Sequence, residues 1–271
     1  MPELPEVETT RRGIEPWLVG RQIRALMVRE WRLRWRVPRS LPSRLAGARI
    51  RSVGRRAKYL LVETDAGTLI LHLGMSGSLR ILDAVTPPLA HDHLDLVLDS
   101  GRCLRFNDPR RFGCLLFTTA DPARHKLLAA LAVEPLSDAF TGEALWRKAR
   151  GRRAAIKNFI MDSRVVAGVG NIYASEALFR AGINPRRSAK RIKRAEFDAL
   201  AKSIKVVLRA AIRAGGTTLR DYVNPEGTPG YFRQKLFVYE RTREPCRVCR
   251  APIRHLVQGQ RSTYFCPKCQ R

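Results

Sequence analysis

Apolar side chains recur at every second position along much of the first 118 residues. In the run HLDLVLD, for example, Leu94, Leu96 and Leu98 alternate with Asp95 and Val97. Comparable short runs are QIRALMVR, KYLLVET, TLILHLG, RCLRF and GCLLFTT, and Gly, Pro or Asp residues separate them. A period of two over so many short segments predicts an antiparallel β-sandwich or barrel.

Helical patterns precede and follow this β-rich part. PEVETTRRGIEPWL predicts a first helix, with Pro5 suited to its first turn and Glu6 and Glu8 near the positive end of its dipole. After it, LLAALAVEPL, TGEALWRKAR, AIKNFIMDSR and NIYASEALFRAG predict short helices. A longer helix has an apolar face followed by two terminating glycines, namely Leu200, Ile204, Val207, Leu208 and Ala211, then Gly215 and Gly216. The loop NPEGTPGYF follows, and LFVYER predicts a return to strand.

These elements predict an α+β chain of several domains. We expect an N-terminal antiparallel β-sandwich with its helix over residues 1–118, a helical domain over 119–232 and a small metal-binding end over 233–271. A length of 271 residues is enough for more than one core, and no internal repeat is present.

The net charge of the chain indicates the class of its binding partner. Lys and Arg number 51 against 24 Asp and Glu, so the net charge is +27 and the isoelectric point is about 11.2. Self-repulsion of this size favours a polyanionic partner, and nucleic acid is the first candidate. An acidic membrane surface fits less well, because the basic residues are spread along the chain. No apolar run has the length of a membrane span and no secretory signal precedes the first helix, so we expect a soluble, cytoplasmic protein. We also expect it to be a monomer.

Four of the six cysteines are concentrated in the last 26 residues, as Cys246, Cys249, Cys266 and Cys269. They form two C-x-x-C pairs separated by 16 residues, a spacing typical of a zinc ribbon. Since thiolates fill all four positions, we expect one zinc ion with a structural and not a catalytic role. Between the pairs, HLVQGQRSTYFC predicts a hairpin whose tip presents Arg261, where a guanidinium could bind a phosphate.

A glycine-rich stretch, GVGNIYASEALF, precedes one of the predicted helices. The backbone N–H groups of Val169, Gly170 and Asn171 at such a helix start can bind a phosphate. An ordinary N-cap by Asn171 explains the same residues equally well. The stretch by itself leaves both interpretations open.

Two other stretches, HLGMSGSL and NDPRRFG, place bulky side chains beside glycine. Met75 and Phe112 are of types usually found in a core. At a turn, however, Arg110 and Phe112 also suit a loop that wedges into DNA, since an apolar side chain enters the base stack and Arg replaces the hydrogen bonds of an extruded base. Lys58, in RRAKYLL, is by composition alone a solvated charge at the start of a strand.

Together these motifs resemble the bacterial formamidopyrimidine-DNA glycosylases, repair enzymes for oxidised purines. The similarity runs in order through PELPEVET, RRAKYLL, HLGMSGSLR, DPRRFG, VGNIYASE, GGTTL, PGYF and the terminal C-x-x-C pairs with QRSTYF. The related endonuclease VIII group usually begins PEGPE, so PELPE favours the first group. The resemblance implies a β-sandwich, a helix–two-turn–helix domain and a zinc-ribbon β-hairpin. It also implies a bacterial cytoplasmic enzyme, nucleoid-associated when on DNA.

The resemblance implies a role for four reacting residues. Pro2 would be the nucleophile after loss of the initiator, Glu3 the neighbouring acid, Lys58 an aid to β-elimination and Arg261 an aid to δ-elimination. Oxidised purines such as 8-oxoguanine and formamidopyrimidines would be removed from duplex DNA through a Schiff base. The abasic site would then be nicked by lyase activity, and the loop TTLRDYVNPEGTPGYF would cover the flipped base.

The resemblance also implies a set of DNA-contacting residues, namely His72, Met75, His91, Arg110, Phe112, Arg152, Arg153, Lys157 and Asn171. One departure from the family pattern concerns this set. GRRAAIKNF has Arg and Ala where relatives often have Lys and Thr, which leaves open whether Arg152 or Arg153 contacts the DNA.

Two other classes of protein compete with this hypothesis. A non-catalytic zinc-ribbon protein that binds DNA or RNA explains the charge and the cysteines but leaves Pro2 and Glu3 without a role. A tautomerase that uses an N-terminal proline on small keto acids leaves the zinc site and the charge unexplained. Only the glycosylase would nick DNA that contains an abasic site.

Overall fold

The structure is a computed structural model that describes residues 2–217 and 236–271. The predicted loop NPEGTPGYF, and all of TTLRDYVNPEGTPGYF after Thr217, lie outside the described residues. The chain divides into two compact units. Of the described residues, 2–129 and 214–217 belong to the first unit, and 130–213 and 236–271 belong to the second.

In its described residues, the first unit is an antiparallel β-sandwich with two α-helices, α1 (Leu4–Leu18) and the short α2 (Leu41–Leu45). Its strands are β1 (Ile23–Val28), β2 (Ile50–Arg56), β3 (Tyr59–Thr64), β4 (Gly67–His72), β5 (Ser78–Asp83), β6 (Asp92–Leu98), β7 (Arg102–Asn107) and β8 (Cys114–Thr118). They form two four-stranded sheets with the orders β1-β6-β7-β5 and β2-β3-β4-β8. The predicted sandwich is confirmed.

The core of the first unit lies where the apolar period placed it. Leu94 and Leu96 of one sheet and Leu69 and Leu71 of the other belong to one buried cluster, which also contains Ile14 of α1. Each such side chain contributes roughly 1.5–3 kcal/mol by leaving water, so the cluster is the main stabilising feature of the unit.

The polar positions of β6 are also buried, because ion pairs cover them. Asp95 is 2% exposed, and its Oδ1 lies 2.7 Å from Arg29 Nη2 and 2.8 Å from Arg105 Nε. Burial raises the pKa of Asp95, but the two guanidinium groups outweigh burial and hold it below its usual value. Arg105 also donates to the Pro87 carbonyl over 3.0 Å, so the network fixes the loop between β5 and β6.

Among its described residues, the second unit contains four α-helices and a β-hairpin. The helices are α3 (Gly142–Ala149), α4 (Ile156–Met161), α5 (Asn171–Arg180) and α6 (Arg194–Arg213), and the hairpin strands are β9 (Arg254–Gln258) and β10 (Arg261–Phe265). Short 3-10 turns occur at Pro122–Arg124 in the first unit and at Ala189–Arg191 in the second. Gly215 and Gly216, with φ of 75° and 84°, follow α6 as predicted. Among the helices of the described residues, none combines the length and apolarity needed to cross a bilayer.

Two predicted elements are wrong. LLAALAVEPL is not a helix, because its backbone bonds leave the segment: the Ala132 N–H donates to the Ser163 carbonyl over 2.9 Å. LFVYER is not a strand in the described chain. The N–H groups of Phe237, Val238 and Tyr239 all donate to the Glu176 carboxylate, whereas successive N–H groups of a strand alternate in direction.

Two strands were not predicted. β2, in ARIRSVGRR, has only Ile50 and Val53 as buried apolar side chains, so its period is obscured by arginine. β5 follows a glycine-rich loop and carries one fully buried apolar residue, Leu79. Both strands are specified by pairing with neighbours, β2 with β3 and β5 with β7.

Candidate functional site

The N-terminal residues are part of the folded first unit. Pro2 is buried, and Glu3, which is 1% exposed, is the N-cap of α1. Glu3 and Glu6 form a reciprocal capping box, in which the Glu3 side chain accepts from the Glu6 N–H and the Glu3 N–H donates to Glu6 Oε2 over 2.9 Å. Pro2 therefore lies in a fixed part of the fold and not in a frayed chain end.

Glu6 extends this anchor to a distant part of the chain. It is fully buried, and its Oε1 accepts the Thr217 N–H over 2.8 Å. One carboxylate thus joins the backbone beside Pro2 to the backbone just after α6. The sequence pattern assigned Glu6 to the helix dipole only, because a contact across 211 residues leaves no local signal.

Lys58 lies in the tight turn between β2 and β3, beside Ala57 with its φ of 53°. Arg55 supports this turn, since it donates to the Ala57 carbonyl over 3.0 Å and to Glu8 Oε2 over 3.0 Å. Glu8 belongs to α1, so the turn is tied to the helix that starts beside Pro2. The Lys58 side chain is half-buried.

His72 is next to Lys58 because β3 and β4 pair Tyr59 with His72. Burial, together with the positive charges of Lys58 and Arg34, lowers the pKa of His72 to about 4. The neutral ring accepts the Gly74 N–H at Nδ1 over 2.9 Å, which leaves Nε2 as the N–H donor. His72 therefore offers an uncharged donor beside an ammonium group, an arrangement suited to a phosphate.

Three residues of the proposed wedge lie on two loops after β4 and β7. Met75 is half-buried, Arg110 is exposed and Phe112 is 43% exposed. The Arg110 guanidinium lies 4.8 Å from the centroid of the Phe112 ring. His91, also exposed, has a φ of 69° and accepts the Asp108 N–H over 3.1 Å. The exposure of Phe112 excludes the core interpretation of this side chain.

In the second unit, α5 begins at Asn171, and Gly170 is its N-cap. The alternative in which Asn171 caps the helix is therefore wrong. The Lys157 ammonium donates to Asn171 Oδ1 over 2.5 Å, to the Ser262 carbonyl over 2.8 Å and to Thr263 Oγ1 over 2.7 Å. Lys157 is fully buried, so its ammonium group interacts with these neighbours. Because it binds the side-chain oxygen of Asn171, the N–H₂ group of the same amide points away from Lys157.

Arg152 and Arg153 are both exposed between α3 and α4. Ser188 donates to both of their carbonyls, over 3.3 Å and 3.1 Å. Arg152 also lines a crevice of about 300 Å³ with Lys148 and Asp162. The two side chains thus have different surroundings, and both stay candidates for contact with DNA.

The four C-terminal cysteines converge on one point. Their Sγ atoms lie within 4.8 Å of one another, and the pairs Cys246–Cys269 and Cys249–Cys266 are 3.9 Å and 3.3 Å apart. A tetrahedral site with Zn–S near 2.3 Å requires about 3.8 Å between sulfurs, so this donor set fits. It holds one structural zinc ion.

The hairpin beside the zinc site carries Arg261 at the start of β10. Gly259 and Gln260, both with positive φ, connect β9 to β10, as a two-residue hairpin turn requires. The Arg261 side chain is exposed, as predicted for a hairpin tip.

Two further charged residues were not singled out from the sequence. Arg34 is exposed, its N–H donates to the Gly113 carbonyl over 3.1 Å and its charge acts on His72. The repeated Arg and Trp of REWRLRWR were a signal for it. Glu176 accepts three successive N–H groups while only 4% exposed, and its burial raises its pKa. An acidic residue within the apolar stretch NIYASEALF was the signal in that case.

Comparison with known proteins covers the whole chain. Residues 1–115 match the family described as formamidopyrimidine-DNA glycosylase N-terminal domain, residues 131–223 match its H2TH domain, and residues 243–271 match a zinc finger found in FPG and IleRS. The formamidopyrimidine-DNA glycosylase of Methylococcus capsulatus is 61% identical over 271 residues, with full coverage of both chains.

Solved structures agree with this result. A Lactococcus lactis FPG mutant in complex with DNA that contains Fapy-dG is 33% identical to this chain. The two superpose with a TM-score of 0.94 over 100% of both chains. The Lactococcus lactis Fpg in complex with DNA that contains an abasic site is 33% identical, with a TM-score of 0.92 and 99% of both chains covered.

Proposed function

The chain belongs to the formamidopyrimidine-DNA glycosylase family, and from this premise we propose that it is a bacterial base-excision repair enzyme. It removes 8-oxoguanine and formamidopyrimidines from double-stranded DNA and nicks the abasic site by β,δ-elimination. The observation that carries the proposal is the burial of Pro2 and Glu3 at the capping box of α1. An N-terminus that is fixed in this way can act as a reagent.

Pro2 is the nucleophile once Met1 has been removed. Its nitrogen bonds to C1′ of the damaged nucleotide, and the bond from C1′ to the base breaks, so the base leaves with the electron pair and takes a proton. The Pro2 nitrogen loses its own proton, the sugar ring opens, and an iminium ion forms between nitrogen and C1′. An α-amino group has a pKa near 7.7–8.0, so a useful fraction is neutral and nucleophilic at neutral pH.

The secondary amine of proline explains the cleavage that follows. The iminium ion has no N–H to lose, so it stays cationic at every pH and withdraws electrons from C2′. A C2′ proton is then lost and the 3′ phosphate leaves, which is the β-elimination. A second elimination expels the 5′ phosphate. Hydrolysis of the iminium releases the sugar fragment and regenerates the Pro2 amine.

Glu3 is the proton donor to the sugar ring oxygen. The ring can open only if its oxygen gains a proton, and a carboxyl group adjacent in sequence to the nucleophile is placed for that transfer. The capping box holds the Glu3 backbone and side chain together, which restricts where the carboxyl group can lie. This role is separate from that of Pro2, and the two can be tested separately.

Phosphate contacts come from both units. Lys58 and His72 provide an ammonium and a neutral N–H side by side in the first unit, and Lys58 also assists β-elimination. Asn171, oriented by Lys157, and Arg261 at the hairpin provide donors in the second unit, with Arg152 or Arg153 nearby in sequence. Arg261 additionally assists δ-elimination. Zinc holds the hairpin, and its four thiolate ligands exclude it from the reaction.

The base to be removed must leave the stack before Pro2 can reach its sugar. Met75, Arg110 and Phe112 fill the space it vacates, with the exposed Phe112 ring in the stack and the Arg110 guanidinium beside it. His91 contacts the DNA beside them. Insertion into the base stack would explain why the apolar Phe112 side chain is exposed, which a role in the core would not explain.

We propose three domains for this enzyme, with the chemistry in the first. Residues 1–118 form the catalytic domain, 119–232 the helical DNA-binding domain and 233–271 the zinc finger. The enzyme acts as a monomer in the bacterial cytoplasm, on the nucleoid when it is bound to DNA. Its net charge of +27 favours binding to the negatively charged phosphates of DNA.

A panel of duplexes with one defined lesion each tests the function. Duplexes with 8-oxoguanine, a formamidopyrimidine or an abasic site should all be nicked, and an undamaged duplex should stay intact. Varying the base opposite the lesion then defines the specificity. Binding without nicking would favour the non-catalytic zinc-ribbon alternative. Activity on a small keto acid without DNA binding would favour the tautomerase alternative.

A further inference from the structure

Two loops that carry the proposed wedge are in backbone contact. We call residues 73–77, which contain Met75, the first loop, and residues 108–113, which contain Arg110 and Phe112, the second loop. Gly74 has a φ of 65°, and a Cβ there would lie 2.5 Å from the Gly113 nitrogen. Only glycine permits this approach, so the two loops touch where their side chains project.

Asp108 connects the same two loops through its side chain. It is completely buried. One carboxylate oxygen accepts the Ser76 hydroxyl over 2.8 Å, and the other accepts the Gly113 N–H over 2.7 Å. Ser76 follows Met75 and Gly113 follows Phe112, so each oxygen is bonded beside a wedge residue.

The backbone of Asp108 is fixed as well. Its carbonyl oxygen lies 2.8 Å from His93 Nε2, its N–H donates to the His91 carbonyl over 3.1 Å, and it accepts the Arg111 N–H over 3.1 Å. Every polar group of this residue is thus engaged in holding a loop. The wedge side chains themselves contribute none of these bonds.

Burying a carboxylate costs free energy unless hydrogen bonds or paired charges replace its lost hydration. Within the described residues, Asp108 has no ion-pair partner, and its side-chain partners are one hydroxyl and one amide. Asp108 therefore accepts one side-chain hydrogen bond from each of the two loops. The ion-pair network around Asp95, by contrast, stabilises the sheet through paired charges.

We propose that Asp108 is the positioning residue that makes Met75, Arg110 and Phe112 act as one preassembled unit. The proposal rests on the function proposed above for these three side chains. Because both loops are fixed to one carboxylate, the three residues enter the vacated space together. They need no separate ordering step when the base leaves, and ordering of loops is a major cost of forming such contacts.

The chain offers a graded set of variants for a test. Asp108→Ala removes both links. Asp108→Asn preserves both, since its oxygen can accept the Gly113 N–H while its amide donates to the Ser76 hydroxyl, which can accept as well as donate. Ser76→Ala removes only the link to the first loop and leaves the buried carboxylate bonded to Gly113.

The measurement follows base extrusion and base excision separately. A 2-aminopurine placed beside 8-oxoguanine becomes more fluorescent when the wedge unstacks it, and stopped-flow mixing gives the rate of that step. Single-turnover excision on the same duplex gives the rate of chemistry. Cleavage of a preformed abasic site reports on Pro2 without extrusion of a base, and thermal unfolding reports on the fold.

We expect Asp108→Ala to slow both the fluorescence change and the excision by about 10-fold to 100-fold, with a much smaller effect on cleavage of the abasic site. Asp108→Asn should be close to the wild type in all four measurements. Ser76→Ala should slow the fluorescence change. The double variant Ser76→Ala/Asp108→Ala should be no slower than Asp108→Ala, because Asp108→Ala already removes the bond between Ser76 and Asp108.

Different results overturn different statements. If the wild type excises 8-oxoguanine and both Asp108→Ala and Ser76→Ala extrude the base at its rate, the positioning role is wrong and the proposed function stands. If Asp108→Asn loses as much as Asp108→Ala, the charge and not the double link is required, and the proposal is wrong. If Asp108→Ala does not fold, Ser76→Ala decides between the two outcomes. A wild type without excision overturns the proposed function itself.

Discussion

The buried ammonium of Lys157 donates to the side-chain oxygen of Asn171 over 2.5 Å. The same ammonium also bonds to Ser262 and Thr263 of the zinc hairpin. One cation therefore sets both the residue that begins α5 and the strand that begins with Arg261. Its influence on DNA should pass through these neighbours.

Replacement of Lys157 by Met should separate this role from a direct phosphate contact. Lys157→Met leaves the acceptors on Asn171, Ser262 and Thr263, one buried and two partly buried, without this donor, so we expect the free energy of unfolding to fall by about 2–4 kcal/mol. All duplexes should be bound more weakly, with little change in the salt dependence. Urea unfolding and binding titrations at several salt concentrations measure both effects.

Lys190→Met is the matched control, since it removes the same charge from an exposed position. Its effect on stability should stay within about 0.5 kcal/mol. A Lys157→Met protein of unchanged stability whose salt slope falls by about 1 would instead place the ammonium on a phosphate.

Loss of the zinc site should abolish DNA binding and leave the first unit folded. Cys249→Ser removes one of four thiolates, and a structural zinc site of three thiolates is not expected to retain the metal. The β-sandwich has its own buried cluster, so residues 1–118 should keep their strand signal. Metal analysis should give one zinc per wild-type chain and none per variant, while Cys103→Ala should retain zinc. Full DNA affinity in a zinc-free protein would contradict the role of the hairpin.

Arg261 should act on phosphates and on the second elimination, not on base recognition. If the wild type contacts about five phosphates, log affinity against log salt should have a slope of roughly −4 to −5. Arg261→Ala should weaken binding of every duplex, reduce that slope by about 1 and leave more β- than β,δ-product. Arg254→Ala, at the other end of the hairpin, should have less effect on all three. A loss confined to one lesion would contradict this assignment.

The low pKa of His72, about 4, predicts a specific pH dependence of stability. An unfolded chain takes up this proton near pH 6.5, so between about pH 6.5 and 4 the unfolded state binds more protons and stability falls as the pH falls. His72→Gln should lose less stability than the wild type over this range. Urea unfolding at several pH values measures the difference. An NMR titration that shows His72 protonated at about pH 6 would contradict the prediction.

The sequence predicted the elements whose period is local and strong. The leucines of β6 and the apolar face of α6 gave their strand and helix directly, since each pattern repeats within one element. The cysteine spacing gave the zinc site for the same reason. β2 was missed because Arg51 and Ser52 separate its two buried apolar residues, Ile50 and Val53, and break the period of two, so only its pairing with β3 specifies it.

The supporting contacts of the site could not be predicted from local pattern. Glu6 reaches Thr217 across 211 residues, and Glu176 reaches Val238 across 62. Asp108 reaches Ser76 across 32. The proposed reacting groups come from the order of the motifs, whereas the residues that support them are identified only by tertiary contact.

We propose that the Pro2 amine forms the covalent intermediate, and trapping with borohydride during reaction with an 8-oxoguanine duplex tests this step. Borohydride reduces an iminium ion to a stable amine, so protein and DNA should become permanently linked, with the adduct on Pro2 and Met1 absent. A protein that retains Met1 should form no adduct, because its Pro2 nitrogen is an amide. Glu3→Gln should lose base excision and retain cleavage of a preformed abasic site. An adduct that maps to Lys58 in the wild-type protein would show that Pro2 is not the nucleophile.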